Sequence, residues 1–175
     1  MGPDDFAYHL PDPAIAQVPL ADRPSARLLD ALAEPVVHRT VRDLPSLVGP
    51  GDVLVVNDTR VLPARLRAAR PTGGAAEVLL LRAVDDEGTW EALVRPSRKL
   101  PPGSTLTVDP GLAVEVADDL GEGRRYVRLS SDGPLADALD RCGEMPVPPY
   151  LTTTLDDPER YQTVYSRRPA SAAAP

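Results

Sequence analysis

Between residues 76 and 130 the chain runs in short stretches of alternating apolar and polar positions. Trp90-Glu91-Ala92-Leu93-Val94-Arg95 and Tyr126-Val127-Arg128-Leu129 show the period of two most clearly, which puts one face of a strand on a core and the other in water. Residues 76–84, 89–95, 104–108, 112–117 and 125–130 all read as strands, separated by Gly-, Pro- or Asp-containing turns. Gly73-Gly74 and Asp85-Asp86-Glu87-Gly88 read as hairpin turns. The even spacing predicts a small antiparallel barrel or sandwich over about residues 67–144.

On either side of this region the texture differs. Up to Arg27 the chain is interrupted by Pro11, Pro13, Pro19 and Pro24, which leaves room only for short turns, one opening at Asp12-Pro13. A second short turn begins at Asp43, with Leu44, Leu47 and Val48 on its apolar side. Gly49-Pro50-Gly51-Asp52 then leads into the continuous apolar run Val53-Leu54-Val55-Val56, which predicts a strand buried on both faces. Its carboxyl end carries Asn57-Asp58-Thr59-Arg60, the position where open α/β architectures collect ligand-binding residues. After the strand-rich region, residues 134–141 fit a helix capped near Asp132 and ended by Gly143. The prolines of Met145-Pro146-Val147-Pro148-Pro149-Tyr150 require extended chain. A last helical turn from Asp157-Pro158 would carry Tyr161 and Tyr165 on one face, and residues 170–175 would fray.

Composition sharpens this picture. Apolar residues make up 42% of the chain but aromatics only 4%, so the core rests on Leu, Val and Ala, with Trp90 and Phe6 as isolated large fillers. The 21 prolines and 12 glycines favour turns and short elements over a helical bundle. A net charge of −7 argues against nucleic-acid binding by bulk electrostatics, but its distribution is uneven. Arg39, Arg42, Arg60, Arg65, Arg67 and Arg70 face only Asp43, Asp52 and Asp58 over residues 36–70, whereas residues 109–123 hold five carboxylates and no base. The single cysteine, Cys142, rules out an internal disulfide and a multi-cysteine zinc site and reads as a packing residue. His9 and His38 are too isolated for a metal centre, and no metal is expected. Neither a signal peptide nor a membrane-spanning run is evident, which points to a cytoplasmic setting.

Four segments carry candidate chemistry, each with a plainer reading beside it. Asn57, Asp58, Thr59 and Arg60 can hold a ribose or a carboxylate, with Arg65 as a further fork-shaped donor; equally, Asn57 and Asp58 can form an Asx turn beside surface arginines. Arg23 and Arg27 around Ser25 can hold an anion, or can be a solvated loop entering an apolar strand. The segment Met145-Pro146-Val147-Pro148-Pro149-Tyr150 can frame a pocket or serve as a linker. In the segment that also holds Gln162 and Thr163, Tyr161 and Tyr165 can stack on a base, or be half-buried packing residues with a wet hydroxyl. Asp58 has the chemistry of a general base, but no residue is singled out as catalytic.

Taken in order, these segments resemble the landmarks of the S-adenosylmethionine:tRNA ribosyltransferase-isomerase family of queuosine biosynthesis. The likeness runs through Arg23-Pro24-Ser25-Ala26-Arg27-Leu28-Leu29 and is densest over Asn57-Asp58-Thr59-Arg60-Val61-Leu62-Pro63-Ala64-Arg65-Leu66. It returns at Gly143-Glu144-Met145-Pro146-Val147-Pro148-Pro149-Tyr150 and at Arg160-Tyr161-Gln162-Thr163-Val164-Tyr165-Ser166. The resemblance implies a β-rich α/β fold. Residues 1–66 and 145–175 would belong to an incomplete larger α/β domain, and residues 67–144 to an inserted antiparallel β-barrel. It implies S-adenosylmethionine as ribosyl donor without a metal. The acceptor would be tRNA carrying an aminomethyl-deazaguanine at the wobble position, giving epoxyqueuosine.

On that reading Asn57, Thr59 and Arg60 face substrate, and Arg23 and Arg27 hold carboxylate or phosphate. Tyr150, Tyr161 and Tyr165 form pocket walls. In the family an Ala-Ala-Pro leads into a His-bearing Thr-Ala-Gly-Leu-His-Phe motif and a long C-terminal half, whereas the sequence here stops at Pro175, and Ala170 stands where the family usually has Gly. The expectation is therefore an N-terminal part, inactive alone unless a second chain completes it. Two other readings compete: a non-catalytic module that binds tRNA or a partner, and a fragment with no independent function.

Overall fold

The computed structural model describes residues 2–153 and 156–170. The chain divides into two units, Met1–Val56 with Pro148–Arg160 and Asn57–Val147 with Tyr161–Pro175.

In the first unit the high proline content leaves single 3-10 turns at Pro3–Phe6, Asp12–Ala14, Arg23–Ser25 and Val41–Ser46. Its regular element is an antiparallel pair, β1 (Arg27–Asp30) and β2 (Val37–Thr40), in register from Arg27↔Thr40 to Asp30↔Val37. Arg39 Nε reaches Asp30 Oδ2 at 2.9 Å, and this hydrogen bond is the main reason the Asp30 carboxyl titrates below its usual range. At the end of β2, Asp43 accepts the Thr40 N–H at 2.8 Å and the Thr40 hydroxyl at 3.0 Å, closing a capping box on the following turn.

Two sequence expectations fail in this unit. The run at residues 53–56 forms no strand, and Val53, Leu54, Val55 and Val56 are 86, 61, 88 and 44% exposed. A strand buried on both faces needs neighbours on its edges and a layer over each face, and the described residues of this unit provide neither. Phe6, read as a core filler, is exposed.

The second unit opens with β3 (Thr59–Val61) and continues into the strands predicted from the period of two. These are β4 (Arg65–Ala69), β5 (Ala75–Ala83), β6 (Thr89–Arg95), β7 (Thr105–Asp109), β8 (Leu112–Gly121) and β9 (Arg124–Ser131). Hydrogen bonding runs β4-β5-β6-β9-β8-β7, and an Ala69↔Thr107 pairing between β4 and β7 closes the ring, so the sheet is a six-stranded antiparallel barrel. Alternate residues point inward: Leu66 and Ala68, Val78 and Leu80, Ala92 and Val94, Val114 and Val116, Val127 and Leu129 are all buried. Outside, charges pair across strands, as in Arg82–Glu91 at 3.1 Å and Arg124–Glu91 at 3.2 Å.

The hairpin at Gly73-Gly74 is as expected, with Arg70 N–H on the Gly74 carbonyl at 2.9 Å. β8 runs beyond its predicted end because bulges between Val116, Asp119 and Gly121 break the alternation on which the prediction depends. Helix α1 (Leu135–Cys142) sets Ala138 and Leu139 on the barrel core, with Pro134 rather than Asp132 as the preceding cap residue. Cys142 packs there as a half-buried thiol. Burial raises its pKa first, and its hydrogen bond to Asp109 adds to this. Gly143 ends the helix and opens β10 (Gly143–Glu144), which pairs with β4. β11 (Arg168–Ala170) pairs in parallel with β3, so Ala170 is not frayed; residues 171–175 lie outside the described residues.

Candidate functional site

The polar tetrad is held through both its backbone and its side chains. Asn57 Oδ1 accepts the Thr59 N–H at 2.9 Å, an Asx turn that bends the chain into β3. The Asn57 carbonyl accepts the Thr163 hydroxyl at 3.0 Å. The Asp58 carbonyl accepts the N–H groups of Arg167 at 2.7 Å and Arg168 at 3.1 Å, and the Asp58 carboxylate meets Arg168 Nε at 3.3 Å. Gln162, 4% exposed, donates to the Val61 carbonyl at 2.8 Å and accepts the Val61 N–H at 2.9 Å. Thr163 and Gln162 thus brace the tetrad and the strand after it, while Thr59 and Arg60 present half-buried side chains from β3.

Arg65 is the first residue of β4. Its Nη2 reaches the Val147 carbonyl at 3.5 Å and its Nε lies 4.0 Å from Glu77, yet Nε is buried without a hydrogen bond. The 3-10 turn Pro158–Tyr161 stops at Tyr161, so Tyr161 and the exposed Tyr165 do not share a helix face as the sequence suggested. The turn is too short because Thr163 instead bonds back to Asn57 and the chain then extends into β11.

The first unit holds the other candidates. A cavity of about 500 Å³ is lined by Arg23, Arg27 and Arg160 together with Val18, Pro19 and Leu20. Arg23 Nη2 donates to the carbonyls of Glu159 at 3.2 Å and Arg160 at 3.0 Å, and Arg160 donates in return to the Leu20 carbonyl. Ser25 Oγ donates to the Asp22 carbonyl at 2.6 Å and so shapes the Arg23–Ser25 turn rather than facing the cavity as a free donor. Arg27 is exposed at the start of β1. Tyr150 is 56% exposed, and its carbonyl accepts Gln17 Nε2 at 2.9 Å while Gln17 Oε1 accepts the Thr152 N–H at 2.9 Å.

Three guanidinium groups around an apolar cavity suit a carboxylate or a phosphate. Sequence reading missed Arg160 as a member of this cavity, and Gln17 as the residue that holds the Tyr150 and Thr152 backbone. The sequence signals of Arg160 are its place at the head of the segment from Arg160 to Ser166 that carries the family resemblance and its position in the helical turn from Asp157-Pro158. Among the described residues, no group of three or more His, Cys, Asp or Glu side chains is placed to hold a metal.

Barrel, braced polar tetrad and arginine cavity belong to a strand-rich fold with few helices. The family model for "Queuosine biosynthesis protein" matches residues 3–175, and the chain belongs to this family. It is 48% identical, over all of its length, to the S-adenosylmethionine:tRNA ribosyltransferase-isomerase of Rubrobacter xylanophilus, and covers 52% of that protein. The enzyme of the same name from Clostridioides difficile is 45% identical over 98% of this chain and 51% of its own length. The chain therefore spans about half the length of the curated relatives it matches. A crystal structure of S-adenosylmethionine tRNA ribosyltransferase from Thermotoga maritima is 31% identical, covering 79% of this chain and 48% of that one, with a TM-score of 0.39.

Proposed function

We propose that this chain contributes part of the substrate-binding machinery of an S-adenosylmethionine:tRNA ribosyltransferase-isomerase. The observation that carries the reading is 48% identity, spread over the entire chain, to a relative of that name. The braced tetrad and the arginine cavity give the reading its chemistry. S-Adenosylmethionine offers a carboxylate, ribose hydroxyls and a sulfonium that makes the ribosyl carbons electrophilic, and tRNA offers phosphates.

Asn57, Thr59 and Arg60 serve the ribosyl donor, and Arg65 adds a guanidinium whose buried Nε makes no hydrogen bond. Arg23, Arg27 and Arg160 take a carboxylate or phosphate. Tyr150, Tyr161 and Tyr165 are the aromatic surfaces against which a nucleoside can rest. Gln162, Thr163 and Ser25 support these groups through backbone contacts, and Asp58 is oriented by Arg168. The acceptor is an aminomethyl-deazaguanine at the tRNA wobble position, the product epoxyqueuosine, and the setting the cytoplasm. The larger α/β domain is completed by sequence matching the remaining half of the relatives, and the 175 residues alone are inactive.

Mass spectrometry of nucleosides from tRNA bearing the deazaguanine, incubated with S-adenosylmethionine, tests this. Epoxyqueuosine is expected when the chain is combined with the remaining half of a relative and absent with the chain alone. Product from the chain alone would refute the division of the site; no product from the combination would refute the assignment.

A further inference from the structure

The barrel carries a second, larger cleft of about 740 Å³, built entirely within the second unit from β4, β5, the last residue of β6 and the turn that follows it. Its floor is small and apolar, with Ala68 and Ala76 buried in β4 and β5. Its rim is cationic: Arg95, Arg98 and Lys99 line it, all exposed. Several other bases on the barrel are paired, whereas Arg70 and Arg128, away from this cleft, form no ion pair among the described residues. Arg67, which also lines the cleft, is held by Glu77 and Glu144 at 3.1 Å each, and Arg82 and Arg124 both bind Glu91. Arg95, Arg98 and Lys99 form no ion pair among the described residues. In a chain of net charge −7, three cations without an ion pair gather on one cleft, whose one lining carboxylate, Glu77, is taken up by Arg67.

These cations are also held on a fixed support. Leu100, 1% exposed, anchors the end of the Ser97–Lys99 turn in the core. Arg125, buried at the start of β9, donates to the Ser97 carbonyl at 3.4 Å and is itself held by Asp119. The turn closes on itself through Lys99 N–H to the Pro96 carbonyl at 3.0 Å and Leu100 N–H to the Ser97 carbonyl at 3.1 Å. A rigid turn bearing Arg98 and Lys99, with Arg95 beside it at the end of β6 and alanines lining the cleft, suits a run of phosphates whose sugars or bases lie on the apolar surface.

We propose that this cleft is an RNA-backbone docking site, separate from the residues assigned to the ribosyl donor and reached by a part of the tRNA that does not react. The proposal rests on the tRNA reading above but adds a location and a means of recognition to it.

Fluorescence anisotropy of a labelled tRNA transcript with the full chain, over a range of salt concentrations, tests it. Replacing the three cations together (Arg95→Gln, Arg98→Gln, Lys99→Gln) should raise Kd about tenfold or more near 0.1 M salt. The same change should lower the slope of log K against log salt by about 2 to 3. The paired conservative variant Arg95→Lys with Arg98→Lys should keep the wild-type slope, which separates lost charge from lost fold. Wild-type binding with an unchanged slope in the triple variant would overturn the docking site while leaving the tRNA reading intact. Absence of any wild-type binding would overturn both. A polyglutamate peptide that binds more tightly than tRNA, with the same sensitivity to the triple variant, would overturn RNA as the occupant.

Discussion

Gln162 stands 101 residues from Val61 in sequence, yet its carboxamide takes both of that residue's backbone polar groups, at 2.9 and 2.8 Å, in a buried setting. Leu62 N–H bonds to Ala170 of β11, so in a parallel pair the groups of Val61 point to the opposite edge of β3. Gln162 thus does for one residue what a neighbouring strand does for many, and it fixes the segment that follows the polar tetrad.

Gln162→Leu preserves volume but leaves the buried N–H and C=O of Val61 without partners. An unsatisfied buried group costs about 1–3 kcal/mol, so the pair should cost at least about 2 kcal/mol. Urea denaturation of the two proteins checks this. A change under about 0.5 kcal/mol would show that water or a rearranged backbone replaces the amide.

Gly143 joins α1 to β10, and its φ of −83° in ordinary extended backbone places no demand for glycine. Space does. A Cβ there would lie 1.8 Å from the Pro63 carbonyl oxygen and 2.7 Å from that of Leu139, both backbone atoms. Gly143→Ala should therefore cost about 3 kcal/mol or more, since close-packed backbone cannot give way locally. Gly133→Ala, where a Cβ meets nothing within 4 Å, should stay within about 0.5 kcal/mol. Thermal denaturation of the pair distinguishes the two cases, and equal effects would contradict the steric account.

The Asp43 carboxyl is held below its ordinary pKa, chiefly by the Thr40 backbone N–H and then by the Thr40 hydroxyl. A folded-state pKa below the unfolded value of about 3.9 means the stabilisation is present above that pH and disappears as pH falls through the folded value. Asp43→Asn should lower the urea midpoint at pH 7, and the difference should shrink through the acid range. A difference independent of pH would show that the charge on Asp43 contributes nothing.

The barrel was legible because its signal is local. Period-two alternation and turn residues locate β5, β6, β7 and β9 within a residue or two, since each strand has one face on the core. It failed where the cause is not local. β3 and β11 are three residues each and form only because Thr59–Val61 and Arg168–Ala170 meet from distant parts of the chain. The run at 53–56 has the composition of a buried strand, but composition does not supply the neighbours that would bury it.

In the site, the arginines and the Asx turn at Asn57 were legible as residue types. The use of Gln17 and Gln162 to hold extended backbone was not, because a glutamine gives no sequence sign of whether its amide faces ligand or chain.

The central claim is that Thr59 and Arg60, presented by β3, face the ribosyl donor. The direct measurement is incorporation of ribose-labelled S-adenosylmethionine into precursor tRNA by the chain combined with the remaining half of a relative. Arg60→Ala is compared with the unaltered chain at matched folded fraction. The account predicts incorporation by the unaltered combination and a loss of about 100-fold or more in kcat/KM for Arg60→Ala, the scale for losing a positioned charged contact. Incorporation at the unaltered rate with Arg60→Ala would contradict it.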